Sequence, residues 1–276
     1  MMSVFNSALN AIFDVLFFPF RPLHPWFGMA FISLLTGLLM LFIFRRTSNQ
    51  AGIRRTKDRI KAHLLELRLF KDNMRVTWSA QGRILRANLR YIGYSFRPLL
   101  VMIIPLILIL VQMNFWFGYK ALDIGEAAIL KVRLDETVNP LEIDAALEAP
   151  PSVVVETPPL RLEEEREIDW RIRAQSPGRE SLVIRVGGQD FAKTVSVSGK
   201  SLSRISPRRV RRSFFAELFY PSEKPLPSSP FIRSIEVVHP VKKLSVLGLR
   251  LHWLAAYFIL SIVFGFALKR PFKVEI

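Results

Sequence analysis

Two apolar runs, Gly28–Phe44 and Pro98–Phe117, bracket a strongly basic stretch, and this arrangement constrains the fold more than any other feature. Each run is about long enough to cross the hydrocarbon core of a bilayer as a helix. The 53 residues from Arg45 to Arg97 hold fourteen Lys and Arg against three acids, a net +11 of the chain's formal +16. A basic loop between two apolar spans is kept in the cytosol by the positive-inside rule. A third apolar run, Trp253–Leu268, lies near the C-terminus and is followed by Lys269, Arg270 and Lys273. The expected topology is a multi-pass protein of the inner (plasma) membrane, N-terminus outside and C-terminus cytoplasmic.

Elsewhere the charge is balanced: residues 118–251 carry 21 bases and 18 acids. Because the excess lies beside apolar runs, anionic lipid headgroups are the expected partner. Sequence-specific nucleic acid is not expected, although ribosomal RNA would meet the loop at a translating ribosome. The chain has no cysteine, which excludes disulfides, thiolate zinc sites and thiol catalysis.

Residues 1–27 lack the basic start and the cleavage site of a signal peptide. Phe5, Leu9, Ile12 and Leu16 recur at helical spacing with Asn6, Asn10 and Asp14 between them, the pattern of an interfacial helix on the outer face. The first span, residues 28–44, ends at Arg45-Arg46. In residues 45–97, Ile53, Ile60, Leu64, Leu67, Met74, Trp78, Leu85, Ile92 and Phe96 step by three, four or seven, the spacing of one helix face. Two helices folded back on each other fit this length, with a bend between Lys71 and Gly82, and Met74 and Trp78 fall on the expected core face. Pro98 should end the second helix and open the second span, 98–117, which Pro105 should kink. Trp116 and Tyr119 are expected in the outer aromatic belt.

From about Ala127 the period changes to two. Ala128–Leu134, Ser152–Glu156, Ile168–Ala174, Leu182–Val186, Lys193–Val197 and Ser234–Val238 read as strands. Ser176-Pro177-Gly178 and Gly187-Gly188 read as turns. Arg208–Tyr220 reads as a short amphipathic helix on the outer leaflet. The expected fold class is an α-helical membrane protein of three transmembrane helices and a cytosolic helical hairpin. An extracytoplasmic antiparallel β-sandwich domain spans 118–251, the third transmembrane helix 252–268, and a cytosolic tail 269–276.

Three stretches carry a family likeness: PWFGMAFISLLTGLLMLFIFRR, the hairpin KDRIKAHLLELRLFKDNMR, and YIGYSFRPLLVMIIPLILILVQMNFWFGY. A span, a basic helical hairpin, a proline-led second span and a later third span resemble the Oxa/YidC/Alb insertase superfamily. The plan is most similar to its three-span type, the archaeal YidC-like proteins and the third subunit of the endoplasmic-reticulum membrane complex. The resemblance implies a polar groove that eases nascent transmembrane segments through hydrocarbon, where a central charge costs about 2.5–3.5 kcal/mol. It would be lined by Ser33, Thr36 and Ser261, with Arg45, Arg46 and Arg97 at its cytosolic mouth. The hairpin would meet nascent membrane proteins and the ribosome through Arg54, Arg55, Lys57, Lys61, Arg68, Met74 and Trp78.

No phosphate loop, nucleophile elbow or metal-binding helix motif occurs, and His24, His63, His239 and His252 are scattered. Glu163–Glu165 with Glu167 and Asp169 read as a solvated loop before a strand, with a cation site as the alternative. The chain is therefore expected to be no enzyme and to need no cofactor or metal. Two functions remain open: an insertase or membrane chaperone, and a non-catalytic accessory or scaffold subunit docking through its β-domain. A sensor relaying binding by the β-domain has less to support it, because no signalling domain follows the spans.

Overall fold

A computed structural model describes residues 2–69, 74–197, 202–246, 249–272 and 274. The chain forms a helical unit, Met29–Ile109 with Leu254–Ile276, and a β-rich unit, Met1–Gly28 with Leu110–Trp253. Its helices are α1 (Met2–Phe17), α2 (Pro25–Thr47), α3 (Gln50–Leu69), α4 (Met74–Met113), α5 (Phe214–Phe219) and α6 (Trp253–Leu268). Among the described residues, α2 and Thr77–Gly118 are long and apolar enough to cross a membrane. The third expected span falls short of that length: α6 has 16 residues, a rise of about 24 Å.

Pro98 does not end a helix. α4 runs unbroken for 40 residues through Pro98 and Pro105. Each proline removes one donor, from the carbonyls of Tyr94 and Val101, but its fixed φ is itself helical, so intact turns on both sides carry the helix across. Hairpin and second span are thus one element. The expected bend falls where α3 ends at Leu69 and α4 has begun by Met74; residues 70–73 lie outside the described residues, as does Lys273.

The hairpin's seam also differs from expectation. Ile53 and Thr56 of α3 and Ala80 of α4 are its buried residues, and Tyr94 packs against Gly52. Met74, Trp78, Leu85, Leu89, Ile92 and Phe96 are instead 55–70% exposed. At 100° per residue they lie roughly opposite Ala80 and Ala87. Ala80 is buried, and the apolar stripe of α4 is left on the outside.

The β-rich unit is built from β1 (Ala127–Leu134), β2 (Ala145–Glu148), β3 (Val153–Val155), β4 (Leu160–Leu162), β5 (Glu167–Ala174), β6 (Gly178–Val186), β7 (Gln189–Val197), β8 (Arg208–Val210), β9 (Ile232–Val237), β10 (Lys243–Val246) and β11 (Leu249–His252). One sheet runs β3-β5-β1-β9-β8 with β4 also on β5, a second runs β2-β6-β7, and β10 pairs with β11. Neighbouring strands are antiparallel throughout. Alternation places Ala128, Leu130, Val132 and Leu134 of β1 inward. They meet Trp170 and Ile172 of β5, Leu182 and Ile184 of β6, and Phe191 and Val195 of β7 in one core fed by both larger sheets. β6 turns into β7 at Gly187 and Gly188, whose φ angles of 56° and 75° are the left-handed values a two-residue hairpin needs.

Three expectations are corrected in this unit. Arg208–Tyr220 is not a single helix: Arg208–Val210 is β8, and only Phe214–Phe219 is helical. Trp116 is not in an exposed belt but 1% exposed, 4.7 Å from the Phe17 ring, inside a π-helical turn over Asn114–Gly118. The face of α1 is also rotated. Its buried side holds Asn6, Phe13 and Phe17, while Val4, Phe5, Ile12 and Val15 are 44–73% exposed.

Candidate functional site

In the helical unit α2 and α6 approach closely where Gly37 of α2 faces the α6 backbone at Ser261 and Gly265. A Cβ on Gly37 would sit 3.2 Å from the Gly265 amide nitrogen and 3.3 Å from the Ser261 carbonyl oxygen. Tyr257 closes this contact. Its hydroxyl donates to Thr36 Oγ1 at 3.1 Å, Thr36 donates onward to the Ile32 carbonyl at 2.8 Å, and Ser33 Oγ donates to the Tyr257 carbonyl at 3.4 Å. Ser33 and Thr36 are 0% and 2% exposed, so hydroxyls expected to face a substrate are occupied within the helix contact.

Beside this contact lies a cleft of about 320 Å³. Met40, Leu41 and Phe44 of α2, Met102, Ile103 and Leu106 of α4, and Phe258, Ile262 and Phe266 of α6 line it. Thr36 and Ser261 border it, with the Ser261 hydroxyl buried. Arg45, Arg46 and Arg97 are absent from its walls, and the Arg46 guanidinium lies 5.2 Å from the Phe42 ring centroid. The cleft is therefore lined mainly by apolar groups, since the Ser33 and Thr36 hydroxyls are taken up by the contact of α2 with α6 and the Ser261 hydroxyl is buried. Tyr257 was missed by sequence reasoning; a lone phenol in an apolar run, opposite a threonine, was the available signal. Such a cleft can hold alkyl and aromatic surface but supplies no donors for a charged segment.

On the hairpin, Arg54, Arg55, Lys61 and Arg68 are exposed and Lys57 half-buried. Met74 and Trp78, expected in the hairpin core, stand 69% and 70% exposed. Glu66 binds Arg83 at 2.5 Å and His63 at 3.1 Å, and these bonds hold its carboxyl below the usual carboxylate range.

In the β-rich unit α1 turns its polar side inward. Asn6 and Asn10 donate to the Glu217 and Pro221 carbonyls at 2.6 and 2.7 Å, and Gln112 donates to Asn10 at 2.9 Å. Val4, Phe5, Ile12 and Val15 of α1 face outward, as do Phe214, Phe215 and Phe219 of α5, while Phe13 and Phe17 are buried. Glu167 and Asp169 pair with Lys131 and Arg133 across β1 and β5, so they are sheet ion pairs rather than loop acids. Among the described residues no three His, Cys, Asp or Glu side chains group as metal ligands.

The same unit buries Lys193 completely. Its ammonium meets Glu223 at 3.0 Å and donates to the carbonyls of Ser206 and Thr194 at 2.7 and 3.1 Å. Burial pushes its pKa down, against the attraction of Glu223. His239, 5% exposed, bonds the Val237 carbonyl through Nδ1 at 2.9 Å, and burial lowers its pKa to about 4. The unfolded imidazole takes up its proton near 6.5, so the stability this group contributes above that pH is lost as pH falls from about 6.5 toward 4. Chemical denaturation across that window should lose about 3 kcal/mol from this group, a slope that His239→Gln abolishes.

Compared with known proteins, the chain matches no family model, no curated protein and no solved structure.

Proposed function

We propose that this chain is a non-catalytic accessory subunit of a complex in the inner (plasma) membrane, with its basic hairpin in the cytosol. In this reading α2, the apolar half of α4 and α6 span the bilayer, and their cleft seats the apolar face of a partner's transmembrane helix. The carrying observation is the cleft lining: alkyl, thioether and phenyl groups from three helices, with the neighbouring Ser33, Thr36 and Tyr257 hydroxyls bonded within the helix contact. Between helices in lipid, such surface associates by close packing rather than by the hydrophobic effect. The outward apolar faces of α1 and α5 agree with an interfacial position at the headgroups. The β-rich unit, read as a sandwich outside the membrane, would be the docking module.

A second reading, the insertase suggested by the resemblance to the Oxa/YidC/Alb superfamily, is favoured by one observation. The hairpin displays Met74, Trp78, Leu85, Leu89, Ile92 and Phe96 unpartnered, a surface suited to catching an apolar client segment.

Photocrosslinking in intact membranes separates the two, with probes at Ile103 in the cleft and Trp78 on the hairpin. Crosslinks from Ile103 to a stable, fully synthesised membrane protein are the expected result. Crosslinks from both positions to nascent chains during their synthesis would replace the subunit reading with the insertase one.

A further inference from the structure

One cleft in the hairpin is lined mainly by arginines. Thr56, Arg59 and His63 follow one another on α3 at steps of three and four, as Arg83, Arg86 and Arg90 do on α4, with Ala87 beside Arg86. The two stripes enclose about 120 Å³ between the helices. Glu66 is occupied by Arg83 and His63, while Arg59, Arg86 and Arg90 have no ion pair among the described residues. Arg83 is further fixed by donating to Ser79 Oγ at 2.6 Å. Thr56 gives its hydroxyl proton to the Gly52 carbonyl at 2.8 Å, which leaves recognition in the cleft to the guanidiniums. Four guanidiniums against one carboxylate leave an excess of three positive charges around a small concavity. Ala87, between Arg86 and Arg90, keeps its floor open. Arg59, Arg86 and Arg90 are exposed and Arg83 half-buried, so the guanidiniums are reached from water at the mouth of the cleft.

We propose that this cleft is a binding site for a doubly charged phosphate group, held by Arg59, Arg86 and Arg90 with Arg83 as the anchored fourth cation. Guanidinium forks pair with phosphate oxygens through parallel N–H···O bonds, which a planar delocalised cation does better than an ammonium. A terminal monoester or a pyrophosphate offers the charge and the oxygens this set demands; a diester, with a single charge, leaves more of the excess unbalanced. Arg90 precedes Pro98 by eight residues, about 12 Å along the helix. That exceeds the polar layer of one leaflet, about 5–7 Å deep, so a water-borne phosphate suits the cleft better than a lipid headgroup.

The test is titration of the 276-residue chain in detergent with inorganic pyrophosphate, followed by native mass spectrometry for stoichiometry. One pyrophosphate per chain is expected. Arg86→Gln with Arg90→Gln should weaken binding by about tenfold or more, as loss of charge-assisted bonds requires. Arg54→Gln with Arg55→Gln removes the same charge from exposed positions outside the cleft and should change it by less than about twofold. Circular dichroism should show equal helix content in both double variants, so that loss of fold cannot mimic loss of the site. A parallel arm uses nanodiscs containing phosphatidic acid, a monoester, or phosphatidylglycerol, a diester. Retention of phosphatidic acid alone, with the same variant pattern and no competition by pyrophosphate, keeps the site and assigns its phosphate to a headgroup. Equal weakening by both double variants, or binding of neither phosphate species, overturns the proposal.

Discussion

Replacing Glu223 by Gln should destabilise the β-rich unit by about 3–5 kcal/mol, because it strands a fully buried ammonium without its counter-charge. Lys193 is 0% exposed and Glu223 is its carboxylate partner at 3.0 Å. The same carboxylate also accepts from the Thr194 amide at 3.0 Å and thereby fixes β7 to the segment after α5. For a unit of this size the loss corresponds to a drop in melting temperature on the order of 10 °C. Lys193→Met combined with Glu223→Gln should recover much of it, since an apolar side chain of similar length leaves nothing charged to desolvate. Melting curves of the two variants decide the matter. Equal destabilisation by the single and double variants would place the cost in packing rather than in the buried charge.

The second large effect is expected in the helical unit. Gly37→Leu should cost about 1–3 kcal/mol and dismantle the cleft, because no rotamer of a branched side chain fits where Gly37 faces the α6 backbone. Its Cβ alone would lie 3.2 Å from the Gly265 nitrogen, a backbone atom that cannot yield without moving α6. Gly265→Ala is the matched control. Nothing lies within 4 Å of a Cβ there, so it should be neutral to stabilising. Thermal unfolding in detergent reads the stability. Loss of the Ile103 crosslink in Gly37→Leu, but not in Gly265→Ala, would tie the cleft to this contact.

The two substitutions mark where the sequence was legible and where it was not. Strands β1, β3, β5, β6, β7 and β9 were visible in the sequence, the longer ones because a half-buried strand writes its burial as alternation along the chain and β3 as a run of valines. The hairpin turn at Gly187-Gly188 was visible for an equally local reason, a backbone conformation that favours glycine. The short strands β2, β4 and β8, of three or four residues, carry too few alternations to be read and exist by pairing to β6, β5 and β9.

Periodicity shows that a helix has an apolar face, yet not which face it buries. α1 and α4 make the point in opposite units. Asn6 and Asn10 look like the solvent side of an amphipathic helix, but carbonyls of Glu217 and Pro221, some two hundred residues on, satisfy them and turn the polar side inward. Met74 and Trp78 look like a hairpin core, but Ile53, Thr56 and Ala80 are the residues buried there. Pro98 was read as a stop because local geometry disfavours helix before proline. Flanking turns override one missing hydrogen bond, so the helix continues.

The candidate groove divides in the same way. Apolar segments, basic loop and Ser-Thr placements are properties of the chain and followed from composition and spacing. Whether Ser33 and Thr36 face a substrate or α6 depends on Tyr257, a residue 221 positions from Thr36. A hydroxyl in a dry site takes the nearest partner, and only the tertiary structure says which partner is near. The sequence by itself determined which segments are apolar, where the charge lies and which strands alternate, since each is written in neighbouring residues. The tertiary structure alone decided which faces are buried and which polar atoms are spent, because those depend on residues far apart in the chain.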